Sequence, residues 1–210
     1  YICVIHDNRG HGKSVKNVED LGYMYRGKAR AFVEDIHQIT LLIRERYPRL
    51  PVILFGHSMG SLAVRAYLKK YDSLIDMLIV CGSPSKNPGV ILGRMIAVVQ
   101  GKLQGERHRS KLLEALSFGS FAARFPKETR KHAWICTDQL VVKEYEDSRL
   151  CGFTFTVDGY RTLFQLMEEA YSAENNEKFC AFADNFSSGK TDEKIPELIR
   201  KLYGFSMSYP

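Results

Sequence analysis

The chain has 210 residues, enough for one large domain or two small ones. With 45% hydrophobic residues, eleven tyrosines and twelve phenylalanines, it can build a sizeable core, which excludes a disordered chain. The net charge of +6 arises from 30 basic and 24 acidic residues; it is of the sign that anionic lipid would attract, and a solvated surface accounts for it equally well. The densest basic stretch, KLQGERHRSK (102–111), has no interleaved aromatics to stack bases, so nucleic acid is not expected as a partner. The five cysteines, Cys3, Cys81, Cys136, Cys151 and Cys180, are odd in number and include no C-x-x-C pair. That pattern argues against a disulfide framework and a zinc site, and fits reduced thiols in a cytoplasmic protein. No apolar run approaches the roughly 20 residues of a spanning helix, and no signal peptide is visible.

In chain order, YICVI (1–5) is a β-branched run that reads as a strand closed by a turn. From Lys28 to Tyr47 the residues Phe32, Ile36, Ile39, Ile43 and Tyr47 recur at steps of three and four, one face of a helix that Pro48 stops. PVILF (51–55) is a second strand, residues 59–71 a helix with Leu62, Ala66 and Tyr67 on one side, and IDMLIVCG (75–82) a third strand. Strands separated by helices imply parallel βαβ units, hence an α/β sheet. After SPSKNPG (83–89) helical patterns dominate, at about 90–100, 109–118, 138–147, 157–173 and 175–185. The expected organisation is an α/β core over 1–85, a helical cap over 86–186, and a linker with an irregular tail over 187–210.

DNRGHGKS (7–14) ends like a phosphate-binding loop, with Gly12, Lys13 and Ser14. Such a loop needs its first glycine at position 7, where this chain has Asp7. A carboxylate there repels phosphate, and no helix begins at once, so the segment reads as a glycine-rich turn after a strand.

The chemistry concentrates in VILFGHSMGSLAV (52–64), which holds G-x-S-x-G as Gly56-His57-Ser58-Met59-Gly60. An apolar strand precedes it and an amphipathic helix follows, the strand–turn–helix context of a nucleophile elbow. The turn would strain Ser58 and expose its hydroxyl. Gly56 and Gly60 would remove side chains that clash where strand meets helix. The Met59 amide, at the positive end of the helix, would donate to an oxyanion. His57 is the sequence neighbour of Ser58; in an elbow their side chains diverge, so it reads as a packing residue.

DNRGHGKS, FGHSMGS and WICTDQLVVKEYEDSRLCGFTFTVDGY (134–160) together resemble the α/β-hydrolase family, in its monoacylglycerol lipase, lysophospholipase and serine aminopeptidase branch. The resemblance implies a partial α/β-hydrolase sheet of parallel strands with flanking helices plus a mostly helical cap. It places residues 7–14 in a loop beside the active site. It implies a Ser–Asp–His triad, of which only Ser58 carries over, with no cofactor and no metal. The acid and histidine motifs do not occur after Ser58. Asp76 stands at a strand entry, and Asp138, Asp147 and Asp158 lie in the cap-like segment as helix caps or surface partners. The chain thus reads as a fragment, inactive alone, of a serine hydrolase of carboxylic esters such as acyl glycerols or lysophospholipids, acting through an acyl-enzyme on Ser58. A peptidase that releases N-terminal residues and a non-catalytic binder of apolar ligands are the alternatives. Cap aromatics such as Phe118, Phe121, Phe125 and Trp134 would form a small core or line an acyl tunnel.

Overall fold

The computed structural model describes residues 2–173. The helix expected at 175–185 and the linker and tail of 187–210 lie outside them. Among the described residues, six α-helices and two strands follow in the order α1 (Lys28–Arg46), β1 (Ile53–His57), α2 (Met59–Tyr71), β2 (Met77–Cys81), α3 (Gly89–Gln104), α4 (Lys111–Ala122), α5 (Gln139–Asp147) and α6 (Val157–Tyr171). Strands β1 and β2 pair in parallel, with Ile53 opposite Met77 and His57 opposite Cys81, and α2 is their crossover. This is the βαβ unit read from the alternating pattern.

The expected strand at YICVI is not present. Residues 2–8 have no regular structure, and Ile2, Val4 and Ile5 are exposed. A strand exists only through ladder hydrogen bonds to a neighbour, and among the described residues the sheet holds β1 and β2 alone, with no ladder to residues 2–5. The sheet therefore has two strands here, not three.

One apolar cluster unites the two halves of the chain. Helix α2 lies on both strands and buries Leu62, Ala63, Ala66, Tyr67 and Leu68. Phe32, Val33 and Ile36 of α1 and Tyr160, Leu163 and Leu166 of α6 close over it. Burial of this kind contributes about 1.5–3 kcal/mol per large side chain. Lys69 of α2 is buried too, and its Nζ donates to the carbonyls of Glu169 (2.8 Å) and Ser172 (2.7 Å), so a cation closes the negative end of α6. The far side of the sheet is thinner, leaving Phe55 56% exposed.

Helix α6 is also tied to the loop before α1. Thr156 caps α6, and its amide and hydroxyl both donate to the Gly22 carbonyl, at 3.1 and 3.0 Å. At Gly159 a β-carbon would collide with that same carbonyl, so only glycine permits the approach. The buried Asp158 carboxylate accepts the amides of Met24 (2.9 Å) and Arg26 (3.1 Å). Those bonds hold a segment in which Tyr25, Arg26 and Lys28 all have φ of 56–57°, a left-handed conformation that non-glycine residues adopt only under constraint. Desolvation raises the Asp158 pKa, against the backbone donors.

Asp158→Ala strips two amides of their acceptor, one of them at a buried residue. It should lower unfolding stability by about 2–3 kcal/mol, measured by denaturant titration.

Candidate active site

The elbow forms where β1 hands over to α2. The Ser58 amide donates to the Cys81 carbonyl at 3.0 Å, which extends the β1–β2 ladder one residue past His57. The chain then turns in a single residue: Ser58 has φ 52° and ψ −120°, and Met59 already begins the helix. The Ser58 carbonyl accepts the amide of Ser61 at 3.0 Å and also its hydroxyl. A non-glycine residue held in such a conformation stores about 1–3 kcal/mol, and such strain clusters at reactive sites.

The two flanking glycines differ in what they do. A β-carbon at Gly56 would stand 2.5 Å from the Gly60 carbonyl oxygen and 2.6 Å from Cγ2 of Val64. Strand and helix cross too closely for any side chain there. At Gly60 a β-carbon meets nothing within 4 Å among the described residues, so the expected clash is absent at that position. The crossing closes on the Gly60 backbone, not on a side chain it lacks.

Ser58 is exposed, and no hydrogen bond to its hydroxyl is present among the described residues. The amides of Met59 and Gly60 open the helix, where no helical carbonyl lies four residues back to accept them, so the positive end of α2 begins beside Ser58. An exposed hydroxyl beside free amides is the arrangement for attack on a carbonyl whose oxygen then gains charge. The His57 ring lies against Gly82, whose β-carbon would come within 3.2 Å of Nε2.

Among the described residues no histidine or carboxylate is bonded to Ser58. His6 meets Asn8 at 3.0 Å, and His37 stacks on Tyr71 with centroids 3.8 Å apart. His132 pairs with Glu146 at 3.2 Å, in a cavity of about 570 Å³ that includes Arg130 and Cys151 but not Ser58. Asp76 accepts the Arg44 guanidinium and the Val52 amide, both at 2.7 Å. Asp138 caps α5, Asp147 pairs with Lys143, and Asp158 is buried against the loop before α1.

The loop 7–14 has its own lock, which sequence reasoning did not find. Arg9 makes a two-pronged ion pair with Asp35 of α1, at 2.6 and 2.7 Å. The Asp7 carboxylate folds over the loop and accepts the Lys13 amide at 2.8 Å. It fills the space that a phosphate would need, and a β-carbon at Gly12 (φ 50°) would strike it. Only the ill-placed Asp7 hinted at this; nothing in the sequence pairs position 9 with position 35. His11 Nδ1 donates to the Arg9 carbonyl (3.0 Å), and the ring packs against those of Phe153 and Phe155, 5.6 and 5.5 Å away.

A parallel strand, a one-residue turn on a serine with positive φ, and a crossover helix over a close glycine define the elbow of an α/β-hydrolase. The family model described as "Serine aminopeptidase, S33" matches residues 1–182, and the chain belongs to that family of α/β-hydrolases. It is 34% identical over 87 residues to a monoglyceride lipase homolog of Monkeypox virus, covering 41% of this chain and 25% of that protein. A crystal structure of a carboxyl esterase from Bacillus coagulans in complex with glycerol is similar at a TM-score of 0.72 and 26% identity, over 82% of this chain and 56% of the other. A shorter similarity, 42% identity over 48 residues, is to one chain of an ATP-dependent helicase/nuclease from Listeria monocytogenes, covering 23% of this chain and 4% of that protein. The chain thus spans about half, or less, of the length of the proteins it matches.

Two outcomes follow from this geometry. Gly56→Ala should cost about 3 kcal/mol by overpacking, whereas Gly60→Ala should leave stability within about 0.5 kcal/mol, both read by thermal unfolding. Burial holds His11 below its ordinary pKa of 6.5, against the Arg9 carbonyl and the Asp7 charge. The unfolded chain therefore binds this proton more tightly, and His11 removes stability as the pH falls below about 6.5. His11→Gln should flatten the slope of melting temperature between about pH 7 and pH 5.

Proposed function

We propose that this chain carries the nucleophile of a serine hydrolase acting on carboxylic esters, with acyl glycerols or lysophospholipids as the substrate class. One observation carries the reading: Ser58 is solvent-exposed, held at φ 52°, and placed at the first turn of α2. The Ser58 oxygen adds to the ester carbonyl as its proton passes to a general base, the Met59 amide receives the oxyanion, and collapse breaks the bond to the leaving oxygen, which takes that proton and departs as the alcohol, leaving an acyl-enzyme that water hydrolyses. The relatives support an ester: one is named a monoglyceride lipase homolog and the other a carboxyl esterase, holding glycerol.

In this reading the cap is residues 86–186, of which the described part carries α3 to α6, and residues 1–85 are the core. Phe118 and Phe121 both stack on Trp134, with Phe121 and Trp134 at 5.0 Å, in an aromatic group that leaves Phe121 exposed and joins Phe118 to the main core. Phe164 packs in the main core too. The peptidase alternative requires a free acidic cluster for an amino group. In KEYEDS (143–148), Glu146 is held by Arg130 and His132, and Asp147 by Lys143, which weighs against it.

In this reading Ser58 is the nucleophile and the Met59 amide the oxyanion donor, and among the described residues no base is bonded to Ser58. A serine without its base loses about three to six orders of magnitude in rate, so the 210-residue chain is proposed to be inactive alone. The test is a fluorophosphonate probe applied to the longest polypeptide that contains this chain. Labelling at Ser58 that disappears in Ser58→Ala supports the reading; labelling unchanged by that substitution overturns it. Binding of monoacylglycerol without any labelling assigns the chain to a non-catalytic binder.

A further inference from the structure

A second cavity, of about 300 Å³, lies where the loop before α1 meets α3 and α6. That is the lower end of the range for small-ligand sites, roughly 300–1,000 Å³. It is lined by Arg26, Lys28, Gly101, Glu106, Asp158 and Arg161. Backbone contacts hold these pieces together. The Asp158 amide donates to the Glu106 carbonyl at 3.1 Å, and the Arg26 amide donates to the Asp158 carboxylate at 3.1 Å. A β-carbon at Gly101 would stand 3.1 Å from Oε1 of Glu106, so the bare helix backbone leaves that carboxylate its room.

The charges of this cavity are sorted by depth. Glu106 and Arg161 pair with each other, their side chains 19% and 23% exposed. Asp158 is 3% exposed and spends Oδ2 on the amides of Met24 and Arg26; no bond to its Oδ1 is present among the described residues. Oε2 of Glu106 is buried and has no hydrogen-bond partner among the described residues. Arg26 and Lys28 are exposed, and neither side chain has an ion pair among the described residues. An unneutralised carboxylate thus sits at the floor and unneutralised cations at the rim. A buried carboxylate with no cation beside it is costly. Burial pushes the Asp158 carboxyl up, and the Glu106 charge pushes the same way.

A ligand of one sign fits this lining badly. An anion alone meets two carboxylates, and a cation alone meets three basic side chains. We propose that the cavity binds a small zwitterion, an ammonium and an acidic group on one short carbon chain, with the ammonium inward at Asp158 and Glu106 and the acid outward at Arg26 and Lys28. The ammonium supplies the donors that the Asp158 Oδ1 lacks. The Arg26 guanidinium offers the two-pronged geometry that suits a carboxylate or a phosphate. Free α-amino acids and the ethanolamine phosphate group share this chemistry. Ser58 is not among the lining residues, so binding requires no reaction at the elbow.

The experiment is calorimetric titration of the 210-residue chain with L-alanine, O-phosphoethanolamine, ethylammonium and acetate, each to about 20 mM. At least one zwitterion should bind about tenfold more tightly than either compound of single charge. Either zwitterion supports the proposal: tighter L-alanine gives the cavity to a free amino acid, and tighter phosphoethanolamine gives it to a phospholipid headgroup. Arg26→Gln/Lys28→Gln alters two exposed side chains without ion pairs, so circular dichroism should be unchanged while zwitterion affinity falls about tenfold. No zwitterion binding, ethylammonium or acetate binding as tightly, or equal zwitterion binding by the double variant overturns the proposal.

Discussion

A gap one hydrogen wide governs this structure. Where β1 passes α2, the α-carbon of Gly56 faces the Gly60 carbonyl and the Val64 methyl, with no space for a side chain between them. That approach lets α2 begin one residue after the strand's next position. It leaves Ser58 as the whole of the turn, and a single residue can reverse the chain only with its backbone in an uncommon conformation. The hydroxyl is exposed for the same reason: it stands at the apex of a bend too tight to be covered from below. Strand pairing fixes the other end, since the Ser58 amide is spent on Cys81. Strain, exposure and the free amides of the helix start are three results of one close contact.

Around that bend the loops are held by charge and by glycine. Arg9 on Asp35 sets the loop 7–14 against α1, and His11 sets it against the aromatic segment before α6. Asp158 then collects the amides of the next loop. These ties replace regular structure in residues 2–27, where helical content is limited to one 3-10 turn at Val18–Asp20.

The elements with a clear period were legible in the sequence. The stretch Lys28–Arg46 repeats its apolar residues every three or four positions, and G-x-S-x-G between a strand and a helix located the bend. What local pattern cannot carry is partnership. YICVI has the composition of a strand, yet a strand is a relation to a neighbour, and composition is silent on whether the neighbour is there. Arg9 with Asp35, Lys69 with Ser172, and Asp158 with Met24 are likewise pairs whose members carry no mutual mark along the chain. The requirement at Gly56 but not at Gly60 belongs to the same class. Both glycines suit the motif, and only the crossing geometry separates them.

The hold of Asp158 on Met24 and Arg26 also orders events in time. These partners stand 134 and 132 positions apart, and the Gly22 carbonyl waits for Thr156 over the same span. As the polypeptide leaves the ribosome, βαβ pairing can begin once Cys81 has emerged, while the loop before α1 still lacks its acceptors. Its left-handed residues Tyr25 and Arg26, and Lys28 at the head of α1, have nothing to restrain them until the start of α6 is made. The loop before α1 is therefore completed only after α6 begins, by closing a span of 134 positions, a slow kind of step for any chain.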